Sequence, residues 1–201
     1  MKLIIAFMMA FSLNYSAPAH AERKVATLTL EGEITDDSGA ELRKGIDEAN
    51  QNNAPAIILE INSPGGDVDA GYLLAKSIER SKAPVTCVVD GNAASMASFI
   101  LESCTTRVVT RRSIIMIHEP AFITNGFGGQ FVRWQNTADH LRYMTKAMME
   151  HYAKRMGMKT EDLINRVYGG RSWFMSPEEA LKFHVVDFVV DSYEDIFPKI
   201  N

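Results

Sequence analysis

Residues 90–100 read DGNAASMASFI: a polar turn, two small alanines, a serine, then an apolar run. Upstream, Val85 to Val89 is a short buried strand, and downstream a helix runs to about Glu102. Ser95 therefore sits where a strand turns into a helix. A serine at a helix start ordinarily caps it, accepting a backbone N–H of the first turn. The same place also suits a nucleophile. Gly91, Ala93 and Ala94 leave room beside the hydroxyl, and the helix aims N–H groups and a positive dipole end at it. The residues of this stretch leave both roles open.

On both sides the same alternation continues. Val25 to Leu30 alternates like a strand, Ser38 to Asn50 fits a helix with Leu42, Ile46 and Ala49 on one face, and residues 56–61 (AIILEI) form a short apolar strand. The turn NSPGG at 62–66 follows, then a helix from about Val68 to Arg80 whose cap is Asp67. Arg107 to Val109 and Ile114 to Ile117 are further strands. This alternation predicts an α/β fold, a parallel sheet with right-handed βαβ crossovers. Beyond the glycine-rich stretch Thr124 to Gly129, residues 130 to about 156 carry no Pro or Gly, and Trp134, Ala138, Leu141, Met148 and Tyr152 recur at helical steps. Such a helix is roughly 40 Å long, more than one core needs. It either wraps the domain or projects to pack against another subunit, and the second reading is favoured. Ser176-Pro-Glu-Glu179 is a capping box with Pro at the first helical position, and Val185 to Val190 closes as a strand.

The 201 residues are 46% hydrophobic and 23% charged, with formal charge −4. These are globular values with no basic face, which argues against nucleic acid as a partner. Arg107, Arg111 and Arg112 read as a solvated strand edge. Lys2, the apolar run Leu3 to Leu13 and the small-x-small triplet Ala19-His20-Ala21 have the layout of a secretory signal peptide. The run is too short to span a bilayer, so no stable membrane anchor is expected. Residues 1–21 are the expected leader and residues 22–201 one mature domain, exported to a periplasm or the medium. Export would let Cys87 and Cys104 pair. Their places, one in an apolar strand and one after the next helix, favour the unpaired reading. No cysteine or histidine spacing suggests a metal, and none of the glycine-rich turns fits a nucleotide, so no cofactor is expected.

Two other sites carry chemistry. The glycines of NSPGG permit positive φ and let a ligand approach the backbone, so the Gly66 N–H could hold a developing oxyanion together with that of Met96. An ordinary strand-to-helix turn is the plain alternative. His118 ends an apolar strand before Glu-Pro, a place that suits a general base facing a cleft.

Together, INSPGG at 61–66, GNAASMASFIL at 91–101, IMIHEP at 115–120 and WFMSPEEALKFHVVD at 173–187 resemble the Clp-type serine peptidases, the proteolytic subunits of the Clp protease. The resemblance runs through nearly all of residues 25–190. It implies a crotonase-like fold, Ser95 as nucleophile, His118 as base and an oxyanion hole at Gly66 and Met96. It also implies a long handle helix that joins subunits into a homo-oligomeric ring. The substrate would be a peptide or an unfolded polypeptide. Ala97 stands where the family usually has Gly, and Ser172 where it has the triad Asp, so Glu161 or Asp162 becomes an alternative support for His118. An exported chain has no ATP, so the family's ATP-driven unfoldase does not transfer. Three rival readings remain at this point: a catalytically weakened ring acting as scaffold, a Ser–Lys peptidase using Lys146 or Lys154, and an acyl-CoA enzyme of the same fold.

Overall fold

A computed structural model describes residues 24–120 and 131–199, with the backbone alone for 131–138 and 197–199. The expected leader, the loop Thr124 to Gly129 and the side chains of Trp134 and Ala138 lie outside the described residues. In chain order the elements are β1 (Ala26–Glu31), α1 (Asp36–Gln51), β2 (Ile57–Ser63), α2 (Val68–Glu79), β3 (Val85–Ala94), α3 (Met96–Glu102), β4 (Thr106–Thr110) and β5 (Ile114–Ile117). Then come α4 (Phe131–Met156), α5 (Thr160–Val167), β6 (Trp173–Met175), α6 (Pro177–Lys182), β7 (Phe188–Val190) and a 3-10 segment, Tyr193–Lys199.

The expected parallel sheet is present, ordered β1-β2-β3-β4-β7. Strand periodicity divides its residues. Ile57, Leu59, Ile61, Cys87 and Val89 face the main core under the helices, while Ile58, Val88, Val108 and Val190 face a smaller cluster closed by Ile196. Helices α1 and α2 bury Leu42 and Ile46, and Leu74 and Ile78, on the main face. Both helix starts are capped. Thr35 forms a capping box with Ser38, and the Asp67 carboxylate accepts the Ala70 N–H at 2.8 Å.

β3 is the element that builds the site, and it is longer than its apolar run. Residues 90–94 stay extended after Val89, because the strand changes partner: Thr86 to Val89 pair with β4, and Asn92 to Ala94 pair with β5. The fork sets the end of β3 beside the end of β5. β5 in turn pairs antiparallel with β6, an unforeseen strand of three residues, with Ile117 opposite Trp173. The final strand is shorter than expected, since Val185 to Asp187 lead into it as turn.

Four expectations need correction. Arg107 is not solvated: it is 5% exposed, and donates to Glu102 Oε2 at 2.6 Å and to Asp187 Oδ1 at 2.6 Å. Arg111 and Arg112 keep the surface role, Arg111 paired with Asp191 and Glu178. Cys87 and Cys104 are joined in a disulfide. α3 is only seven residues long, and Thr105 N–H then returns to the Val85 carbonyl at 2.9 Å, which brings the two Cα atoms to 5.9 Å. α4 packs on its own domain. Its last turns bury Met148, Met149, Tyr152, Ala153 and Met156, whereas Asp139, His140, Arg142, Tyr143 and Lys146 are exposed. Met148 thus belongs to the chain's own core, not to a face available for another subunit. The fourth correction concerns Ser95.

Candidate active site

Ser95 links β3 to α3 at φ 55° and ψ −124°. A non-glycine residue in that region is strained by roughly 1–3 kcal/mol and persists only where its surroundings over-determine it. Here the Ser95 N–H donates to the Met116 carbonyl of β5 at 2.8 Å, and the helix begins at the next residue. The side chain makes no capping bond, so the capping role fails: the turn aims the hydroxyl away from the helix. Ser95 Oγ instead lies 2.6 Å from Nε2 of His118. His118 stands one residue past β5, and β5 lies beside the end of β3, so the pair follows from the strand fork.

The NSPGG turn lies against the same place. The buried Ser63 hydroxyl accepts the Gly65 N–H at 3.1 Å. A Cβ on Gly65 would stand 2.8 Å from that of Ser95 and 2.9 Å from the Met96 nitrogen. Gly66, at φ 149°, bridges to Ile34: Ile34 N–H donates to Gly65 O, and Asp67 N–H to Ile34 O, both at 2.8 Å. These two bonds use the Ile34 side of the turn and leave Gly66's own N–H directed to the other side. A side chain at Gly66 would meet the Ile34 carbonyl oxygen at 2.3 Å. The Met96 N–H is a first-turn amide, which has no acceptor within its own helix. Neither amide donates to a protein acceptor among the described residues.

Burial holds His118 below the usual histidine range, partly opposed by the Glu119 carboxylate. The imidazole is therefore neutral at pH 7 and able to take a proton. No carboxylate hydrogen-bonds its other nitrogen among the described residues. Ser172 is exposed, and continuing the β5–β6 register by one residue sets it opposite His118. It shares a cleft of about 740 Å³ with Asp162, Arg166 and Trp173. Glu119 is the nearby acid that sequence reasoning passed over. Its Oε2 accepts the N–H groups of Gly169 at 3.1 Å and Gly170 at 3.3 Å, fixing the loop that leads to Ser172. Lys146 is exposed and pairs with Glu150, and Lys154 is exposed as well.

Two further groups were missed. In the sequence Tyr152 reads as part of an apolar stripe, and nothing singles out Ser98. The Tyr152 hydroxyl lies 2.8 Å from Ser98 Oγ, directly behind the Ser95 turn. No local motif marks them, because the pair is 54 residues apart in sequence.

Comparison with known proteins identifies the family. The family model described as Clp protease matches residues 19–193. The ATP-dependent Clp protease proteolytic subunit 1 of Protochlamydia amoebophila is 36% identical over 143 residues, covering 70% of this chain and 68% of that protein. Its counterpart in Chlamydia abortus is 34% identical over 167 residues, covering 81% and 85%. The proteolytic subunit of Deinococcus radiodurans is 34% identical over 143 residues, covering 70% and 68%. A match of this extent, over a mostly parallel sheet that brings a serine and a histidine together, means that the chain belongs to the Clp protease family of serine peptidases.

Proposed function

We propose that the chain is an exported serine endopeptidase that cleaves peptides or already unfolded polypeptides through a Ser95 acyl-enzyme. The observation that carries this reading is the 2.6 Å contact between Ser95 Oγ and His118 Nε2 at a strained strand-to-helix turn. His118 takes the hydroxyl proton as Ser95 attacks the scissile carbonyl. The Gly66 and Met96 amides stabilise the oxyanion, a contribution that is large because the donors are fixed beforehand. The imidazolium then protonates the leaving amine, and the same base activates water for deacylation. The serine at position 172 brings no charge to stabilise the imidazolium, so turnover is slow and best on small activated esters or peptides. Export is supported by the leader pattern and by the disulfide, which persists in oxidising compartments. The relatives are named ATP-dependent; an exported chain would work without an ATP-driven partner. The exposed α4 side chains Asp139, Arg142 and Tyr143 support assembly into a homo-oligomeric ring.

That no described carboxylate bonds His118 favours one second reading, a ring that binds chains and cuts them hardly at all. A serine-reactive fluorophosphonate probe separates the two. The mature protein should be labelled at Ser95. Ser95→Ala should abolish labelling and His118→Ala suppress it, since an unassisted hydroxyl is a poor nucleophile near pH 7. Labelling that survives Ser95→Ala overturns the proposal, and no labelling of any variant hands the protein to the scaffold reading.

A further inference from the structure

We propose that Tyr152 of α4 is a positioning residue for the Ser95–His118 pair, acting through Ser98. The inference rests on the serine-peptidase reading above and deepens it. Ser98 Oγ lies 2.7 Å from the Ser95 carbonyl and 2.9 Å from the Met116 carbonyl. The Tyr152 hydroxyl lies 2.8 Å from Ser98 Oγ and 3.3 Å from the Ser95 carbonyl. The two carbonyls are the backbone of the reacting residues: one belongs to the nucleophile, the other stands two positions before the base. A pair of buried hydroxyls thus joins α3, β5 and α4 at the strained Ser95 turn.

Packing does not call for these hydroxyls. Tyr152 is 1% exposed and meets Phe99 edge-on at a centroid distance of 5.8 Å, a contact that phenylalanine would make equally well. Burying the phenolic O–H is costly unless it is hydrogen-bonded, and among the described residues its bonds run to Ser98 and Ser95. Burial pushes the phenol far above its usual range, so the proton stays available as a donor. With one proton on each hydroxyl, the network holds the Ser95 and Met116 carbonyls at fixed separation. That separation sets the distance from Oγ to the imidazole, and displacements well under 1 Å at such a contact are enough to cost rate.

The test uses Tyr152→Phe and Ser98→Ala in the mature protein, with steady-state hydrolysis of a small activated ester and the rate of fluorophosphonate labelling at Ser95. Tyr152→Phe should lower kcat and the labelling rate together by about tenfold, with KM within twofold, because ground-state binding is untouched. Ser98→Ala should do the same, and the double variant should lose little more than either single one, as expected of one network. Met149→Ala serves as the control, a buried neighbour on α4 without a polar atom. It should lower Tm but leave kcat unchanged below the transition. The proposal is overturned if Tyr152→Phe and Ser98→Ala keep kcat within twofold, or if their losses only track Tm as in Met149→Ala. Failure of wild-type protein to label at Ser95 removes the peptidase reading and this one together. A labelled wild type with an unaffected Tyr152→Phe removes this one alone.

Discussion

At the scale of single residues, the decisive vacancy is a charge. Ser172 reaches the row opposite His118, where a hydroxyl could accept the ring N–H and keep the tautomer but could not stabilise an imidazolium. In a serine protease, replacing the triad carboxylate by an amide costs about 10⁴ in kcat. Ser172→Asp should therefore raise kcat/KM at least about tenfold, roughly 1.4 kcal/mol of transition-state stabilisation. The pH profile supplies a second readout. His118 must be neutral to act, and burial holds it below the ordinary value, so activity falls on the acid side only below the usual histidine midpoint. A new carboxylate stabilises the protonated ring, which moves that limb to higher pH. Glu119→Gln removes the one acid that already does so and should move it lower. If Ser172→Asp changes nothing while Asp162→Asn or Glu161→Gln abolishes turnover, the charge comes from α5 instead.

Among the elements, Glu102 ends α3, Arg107 is the second residue of β4, Asp187 precedes β7 and Arg155 lies in the last turn of α4. Their side chains meet in one place. Arg155 Nε is 3.7 Å from Glu102 Oε2, and its Nη2 donates to the Cys104 carbonyl at 2.9 Å. Glu102 is 1% exposed, and burial outweighs the pull of Arg107, pushing its carboxyl from 4.5 up to about 7. The folded state thus holds this proton more tightly than the unfolded chain. Its stabilisation is complete below pH 4.5 and is lost as pH rises through about 7. Urea midpoints between pH 5 and 8 should fall with rising pH in the wild type, and Glu102→Gln, which cannot ionise, should flatten the trend. Equal slopes would exclude Glu102 as the source. This cluster also marks where sequence reading ends. Caps, the βα alternation and the serine and histidine positions are written in local patterns of a few residues. The partners of Arg107 stand 5 and 80 positions away, so nothing beside Arg107 announces them. β6 was missed for a related reason: three residues carry no period, and the strand exists because β5 offers it an edge.

Across the whole molecule, a single disulfide ties the strand before the nucleophile to the turn after α3, with Ser95 inside the closed loop. A loop of this size is worth about 3 kcal/mol against the unfolded chain. The sulfurs belong to residues 0% and 1% exposed, and thiol exchange requires an attacking thiolate to reach one of them. A reductant therefore meets this bond only in molecules that have opened. With enough dithiothreitol that reduction outruns reclosing, thiols should appear at a rate that no longer depends on its concentration, and that plateau is the rate of opening itself. The bond becomes a clock: counting thiols over time in native buffer reads the lifetime of the folded protein, and each molecule that opens even once is permanently marked.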